Sequence, residues 1–234
     1  AIRKKAVDKS ADVEKALGEV ERAVMSDVEM SADRVQIFEA LEHLIVSGNC
    51  LLVVEDDGTR TMCTFLGAGT LIGPNDIQPA HITNHKIAYL EGYLWDNQDA
   101  KMAMKKMVDI CKSDNQKIAF TLSDLFCVDR HRESFKELIE NNVDILFANE
   151  DEIKAQCETD SFDTAVEYAK SLNMIVAITR SADGSVIVNN NEVIKINPVQ
   201  VDRVVDTTGA GDLYAGGFLF GMAKGKDLTT CGNY

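Results

Sequence analysis

The chain has 234 residues, of which 45% are hydrophobic and 26% charged, and this length suits one well-buried α/β domain while leaving little room for two. Acidic residues outnumber basic ones by 38 to 24, and a net charge of −14 argues against nucleic acid or an anionic membrane as a partner. The sequence contains no apolar run long enough to span a bilayer and no secretory signal at its start, so we expect a cytoplasmic protein.

The first part of the chain has a different pattern from the rest. Apolar residues at helical spacing predict helices over residues 1–47. The period changes at Cys50, where two short apolar stretches flank the turn sequence Asp56-Asp57-Gly58 and predict a β-hairpin over residues 48–66. Hairpins of this kind can close over a site, so we interpret this one as a lid.

From residue 67 to residue 234, apolar strands alternate with amphipathic helices. Strands are predicted at 86–91, 117–121, 144–147, 174–179, 185–189 and 201–205, and helices at 99–111, 132–141, 150–157, 164–172 and 212–224. This order predicts an α/β fold with a mostly parallel sheet and helices on both faces. In such folds ligands bind beyond the carboxyl ends of the strands.

The most informative segment is residues 206–212, Asp-Thr-Thr-Gly-Ala-Gly-Asp, which precedes a predicted helix. Gly209, Ala210 and Gly211 would let backbone N–H groups face an anion at the positive end of that helix. Asp212 would lie in the same field, where it could accept a proton from a substrate hydroxyl while the amides hold a phosphoryl group. The alternative is an ordinary turn in which Asp212 only caps the helix.

A second polar segment, Asn149-Glu150-Asp151-Glu152, follows a predicted strand and opens a helix. One interpretation is a capping box, in which Asn149 and Glu152 bond each other's backbone. Another is that Asn149 bonds a phosphate oxygen while Glu152 orders the water shell of Mg²⁺, which keeps several waters and few direct carboxylates. The two interpretations are compatible.

Other common sites are not indicated. The glycine run matches neither a dinucleotide-binding fingerprint nor a Walker loop. The six cysteines are scattered without zinc spacing, and we expect them to be reduced. His81 and His85 are four residues apart but have no third ligand nearby in the sequence.

Taken together, Asn-x-x-Glu at 149–152, Thr-Arg-Ser-Ala-Asp-Gly at 179–184 and the 206–212 run resemble the ribokinase/pfkB carbohydrate kinase family. The resemblance covers roughly residues 48–234. Segments 60–68, 89–95 and 121–132 are most similar to the bacterial adenosine-kinase-like sugar kinases of that family. Because the family continues beyond Tyr234 with a helix and a loop, we expect the core at 67–234 to be incomplete at its carboxyl end.

The resemblance implies a ribokinase-like fold, ATP and Mg²⁺ as cofactors, and K⁺ as a monovalent cation. It implies that Asp212 is the catalytic base and that the turn from Gly209 to Gly211 is the anion hole. The remaining implied roles are nucleotide binding by Asn149, Thr179, Ser181 and Gly184, Mg²⁺ binding through water by Glu152, and monovalent-cation binding by Asp206 and Thr208.

The expected activity is ATP-dependent phosphorylation of a sugar or nucleoside hydroxyl. The alternative is a nucleotide-binding regulatory protein of the same fold that does not turn over. The sequence does not decide among adenosine, ribose-like sugars and fructose-type sugars as substrates. The expected assembly is a homodimer formed through the lid. Tyr93, Trp95 and Phe126 could stack on a ring, although aromatic residues at this spacing are more often in a core.

Overall fold

The computed structural model describes residues 71–83, 85–202, 204 and 206–234 in full, and the backbone of residues 49–54 and 60–65. The helices predicted over residues 1–47 lie outside the described residues. Strands β1 (Asn49–Val54) and β2 (Arg60–Phe65) pair with each other in a two-stranded sheet. The predicted turn at 56–58 also lies outside the described residues, and the role of this hairpin as a lid stays a prediction.

The main unit contains a six-stranded sheet in the order β3-β4-β5-β6-β7-β8. Its strands are β3 (Ile87–Glu91), β4 (Lys117–Thr121), β5 (Ile145–Asn149), β6 (Ile175–Thr179), β7 (Ser185–Asn189) and β8 (Glu192–Ile196). Strands β3 to β6 are parallel to one another, and β7 and β8 are antiparallel to their neighbours. The predicted mostly parallel sheet is confirmed.

Seven α-helices and two short 3₁₀ helices accompany the described strands. The α-helices are α1 (Pro79–Ile82), α2 (Gln98–Ser113), α3 (Leu125–Asn142), α4 (Glu150–Gln156), α5 (Phe162–Ser171), α6 (Ala210–Ala223) and α7 (Leu228–Gly232). The 3₁₀ helices are Gly92–Trp95 and Ser181–Asp183. Every helix predicted beyond residue 67 is present.

Side chains on successive strand residues belong to two different cores, as the alternation of a β-strand requires. Along β4, Ile118 and Phe120 pack with α2, α3, α4 and α5, whereas Ala119 belongs to the core that contains residues of α6 and α7. The same alternation runs through β5, β6 and β7. The helices therefore cover both faces of the sheet, as predicted.

The strand predicted at 201–205 is wrong for the residues of that range that the structure describes. Val201, Asp202 and Val204 are not in a strand, and the two valines are exposed. The last strand is instead β8, which follows β7 through a tight turn in which Asn190 has a φ of 52°. Because β8 is an edge strand with an exposed Val193, its alternation is too weak to stand out in the sequence.

Three aromatic rings form the centre of the larger core. Phe135 of α3 lies 5.0 Å from Phe120 and 5.8 Å from Trp95, measured between ring centroids, in edge-to-face contacts. Trp95 is only 3% exposed and its indole N–H donates to Ser134 Oγ at 3.0 Å. Trp95 is therefore a core residue.

Phe135→Ala should lower the free energy of unfolding by about 3–5 kcal/mol, because it leaves a cavity at a fully buried site. Phe126→Ala on the same helix is the matched control. Phe126 is 70% exposed, so its loss should change stability by no more than about 0.5 kcal/mol. Urea unfolding of both variants measures the difference, and equal losses would contradict this description of α3.

Candidate active site

The candidate site lies at one edge of the main sheet. Parallel strands end at the same edge: Glu91 pairs with Thr121 at the ends of β3 and β4, and Asn149 pairs with Thr179 at the ends of β5 and β6. Helix α4 begins directly after β5, and the turn that leads to β7 begins directly after β6. This edge is the usual ligand-binding position in sheets of this type.

The N-cap residue of helix α6 is a glycine in the left-handed conformation. Gly209 has a φ of 71° and its carbonyl accepts the first helical hydrogen bond, from the N–H of Leu213, at 2.8 Å. The N–H of Ala210 donates to the carbonyl of Thr207 at 3.1 Å. Within the described part of the chain, no acceptor is found for the N–H groups of Gly211 and Asp212. These two amides can therefore bind an external anion.

Asp212 is the third residue of α6 and its side chain is exposed. A carboxylate at this helix position is stabilised by the helix dipole. Upstream, Asp206 Oδ1 accepts a hydrogen bond from the N–H of Thr208 at 2.8 Å, so the two residues predicted to bind a monovalent cation are in contact.

Asn149 and Glu152 form a complete capping box at the start of α4. The Asn149 side-chain oxygen accepts from the N–H of Glu152, and Glu152 Oε2 accepts from the N–H of Asn149, both at 2.8 Å. In addition, Asn149 Nδ2 donates to Glu152 Oε1 at 2.7 Å. The capping interpretation is thus confirmed, and no acceptor is found among the described residues for the second N–H of the Asn149 amide.

Glu152 is a buried residue, with only 6% of its surface exposed. Burial raises its pKa from 4.5 to about 7, against the lowering effect of the Asn149 N–H, and the charges of Asp124 and Asp151 raise it further. Both of its oxygens already accept hydrogen bonds. This donor set fits Mg²⁺ held through ordered water rather than bound directly. Among the residues searched, no group of three or more potential ligands is found.

Thr179 is the last residue of β6, and the turn that follows it contains Ser181 and Gly184. Arg180 N–H donates to the carbonyl of Gly184 at 2.8 Å and closes this turn. Gly184 has a φ of 79°, and a Cβ there would lie 2.1 Å from the carbonyl oxygen of Ile196, so only glycine fits. Thr179 is adjacent to Asn149 in the sheet, which brings this turn beside the capping box.

Two residues of β3 connect the two parts of the site, and the sequence analysis did not select them. Burial and then the charges of Glu91, Asp212 and Glu152 raise the pKa of Tyr89 to about 12. Burial, followed by the charge of Asp212, also raises the pKa of Glu91. Asp212 and Glu152 are therefore both within electrostatic range of Tyr89. The signal in the sequence was the position of Glu91 as the last residue of a predicted strand.

Exposed aromatic residues follow β3 and β4 at the same edge. Tyr93 is 43% exposed and its hydroxyl donates to the carbonyl of Ser123 at 3.2 Å. Phe126 is the second residue of α3, whose N-cap is Asp124. Of the three aromatic residues considered from sequence, Trp95 is buried and these two are available to a ligand.

The raised pKa of Glu152 predicts a pH-dependent stability. The folded protein keeps this proton between about pH 4.5 and pH 7, where the unfolded chain has lost it, so the free energy of unfolding should fall as pH rises through that window. The slope from this group is at most roughly 1.4 kcal/mol per pH unit.

Glu152→Gln is the reference, because glutamine retains the capping box but does not titrate. Urea unfolding of both proteins at about pH 5, 6 and 7 should show that the free energy of unfolding of the wild type falls relative to that of the variant as the pH rises. Parallel pH profiles would contradict the assignment.

No helix among the described residues is long and apolar enough to cross a membrane. Comparison with solved structures gives a TM-score of 0.77 and 42% identity with the adenosine kinase of Sinorhizobium meliloti, covering 79% of this chain and 57% of that protein. The ribokinase of Thermotoga maritima, at 22% identity, has a TM-score of 0.61 over 79% of this chain and 59% of its own, and it supports the predicted ribokinase-like fold.

Among curated proteins, an uncharacterized sugar kinase of Archaeoglobus fulgidus is 28% identical over 188 residues, which are 80% of this chain and 72% of that protein. The family model of pfkB carbohydrate kinases matches residues 29–234. This match begins upstream of residue 48, where the resemblance found in the sequence begins. The chain therefore belongs to the pfkB family of carbohydrate kinases.

Proposed function

We propose that the protein is an ATP-dependent kinase that phosphorylates a hydroxyl group of a sugar or nucleoside, with Asp212 as the general base. One observation carries this proposal. An exposed carboxylate stands in the first turn of α6, on the same turn as the N–H groups of Gly211 and Asp212, for which the described residues offer no acceptor. A base and an anion site on one turn are what phosphoryl transfer to a hydroxyl requires.

In the proposed reaction Asp212 accepts the proton of the substrate hydroxyl. The oxygen then forms a bond to the γ-phosphorus of ATP as the bond to the β-phosphate oxygen breaks, giving a phosphate ester and ADP. The turn from Gly209 to Gly211 and the positive end of α6 stabilise the charge on the transferred group. Little covalent chemistry is needed, so correct positioning supplies most of the rate.

Asn149, Thr179, Ser181 and Gly184 would bind the nucleotide, since they share the edge of the sheet beside α4. Glu152 would order the water shell of Mg²⁺, which neutralises the phosphate charge when it is bound. The contact between Asp206 and Thr208 supports a monovalent-cation site, with K⁺ as the expected ion.

The hydroxyl substrate would lie over the ends of β3 and β4. Glu91 offers a carboxyl to sugar hydroxyls. It lies close enough to Asp212 for the charge of Asp212 to raise the pKa of Glu91. Phe126 and Tyr93 offer exposed aromatic faces that suit the base of a nucleoside. The similarity to a protein described as an adenosine kinase supports the same choice, so a nucleoside is the favoured substrate.

Asp212→Asn should reduce turnover by roughly 10²-fold or more and leave Mg-ATP affinity largely unchanged, because the amide cannot accept the proton. ADP release with Mg-ATP and a panel of nucleosides, furanoses and hexoses measures this. Near wild-type turnover in the variant would overturn the role of Asp212.

Asp163→Asn is the matched control, since Asp163 is also an exposed aspartate in the first turn of a helix, here α5. It should leave turnover unchanged. If the wild type binds Mg-ATP but phosphorylates nothing in the panel, the protein is better described as a nucleotide-binding regulatory protein.

Phe126→Ala should raise KM for a nucleoside substrate by roughly 10-fold, the loss of one stacking contact of about 1–3 kcal/mol. KM for ATP should stay unchanged, and so should stability, because the side chain is exposed. Steady-state kinetics with each substrate varied in turn would separate the two constants. An unchanged nucleoside KM would exclude stacking on Phe126.

A further inference from the structure

Arg180, in the turn between β6 and β7, connects that turn to two helices. Its Nε donates to Glu150 Oε2 at 2.7 Å, and Glu150 is the first residue of α4. Its guanidinium carbon lies 4.0 Å from the ring centroid of Phe162, the first residue of α5. Arginine is suited to such a position, because its planar group can bond a carboxylate at its edge while its face stacks on a ring.

The residue that follows has an unfavourable backbone conformation. Ser181 has a φ of 48°, in the left-handed region that residues other than Gly, Asn and Asp rarely adopt. Such a conformation is unfavourable for a residue with a Cβ and persists where the surrounding structure holds it. The Ser181 carbonyl accepts from the Gly184 N–H at 3.2 Å, so the conformation of Ser181 also sets the shape of the whole turn.

We propose that Arg180 is a positioning residue, which holds Ser181 in its left-handed conformation and the turn beside the first residue of α4 through Glu150 and Phe162. This inference rests on the proposed function, in which Thr179, Ser181 and Gly184 bind the nucleotide. Its consequence is that Arg180 acts on nucleotide affinity without contacting the phosphates.

An arginine beside a nucleotide site would ordinarily be assigned to the phosphates. Here the charge is already matched, because Glu150 accepts from Nε and Asp183 Oδ2 lies 3.8 Å from a terminal nitrogen of Arg180. Arg180 and Lys154 both lower the pKa of Glu150, so its carboxylate is charged near neutral pH. A partly exposed ion pair of this kind contributes little to the stability of the whole fold, so its main effect is local.

The test is a double-mutant cycle of Arg180→Gln and Ser181→Gly in the full-length protein. Mg-ATP affinity is measured by calorimetry without a second substrate. Arg180→Gln alone should weaken binding roughly 10-fold, and in the Ser181→Gly background it should weaken binding less than about 3-fold, because glycine adopts the left-handed conformation without support. Arg180→Lys keeps the charge but loses the planar stack, so its affinity for Mg-ATP should lie between those of the wild type and Arg180→Gln. The lysine variant replaces the glutamine variant in the cycle if the latter does not fold.

Lys154→Gln is the matched control. It removes the other cation that contacts the Glu150 carboxylate, at 3.4 Å from Oε1, and leaves the turn untouched, so its affinity for Mg-ATP should equal that of the wild type. Unchanged affinity in Arg180→Gln would overturn the inference. An equal loss in both backgrounds would also overturn it, since that result means direct contact with the nucleotide.

Amide hydrogen exchange of residues 180–184 in the ligand-free proteins separates the two proposals. Arg180→Gln should raise the exchange rate of this segment several-fold, and Lys154→Gln should not. If the wild type does not bind Mg-ATP but the exchange rate rises as expected, the nucleotide assignment fails and the restraint of the turn stands. If the wild type binds and exchange is unchanged, only the restraint by Arg180 is wrong.

Discussion

The parallel register of β5 and β6 is the constraint on which the candidate site depends. Asn149 and Thr179 are paired as the last residues of their strands, so the helix that follows one and the turn that follows the other begin at the same level. A shift of either strand by one residue would move the side chains of that strand to the opposite face of the sheet. Buried residues on both faces of β5 and β6, in two separate cores, make such a shift costly and keep the site fixed.

Much of the fold could be predicted because strands and helices in this chain have clear periods. The strands at 117–121 and 185–189 have the predicted bounds, since each is a short apolar run between polar turns. Helix α3 begins at Leu125, seven residues before its predicted start, because Asp124 caps it and the exposed Phe126 interrupts the apolar pattern expected of an amphipathic helix. Strand β8 was missed because an edge strand has few buried residues, so its sequence lacks a clear apolar pattern.

The candidate site was predictable where local sequence determines local geometry. The glycine turn before α6 and the capping box of α4 are formed by residues within four positions of each other, so their pattern is visible in the sequence. Other features depend on residues far apart in the chain. These are the proximity of Tyr89 and Glu91 to Asp212 and the pairing of Glu150 with Arg180. Sequence position alone cannot reveal that Asp212 lies near β3 or that Glu152 is buried.

At Glu152, the requirements of folding and those of the proposed activity conflict. A group that is costly to ionise inside the protein is retained at the position where the proposed chemistry needs a negative charge. Stability and function therefore favour different residues at this one position. Selection of this protein for heat resistance near neutral pH, without simultaneous selection for activity, would be expected to remove this carboxylate early.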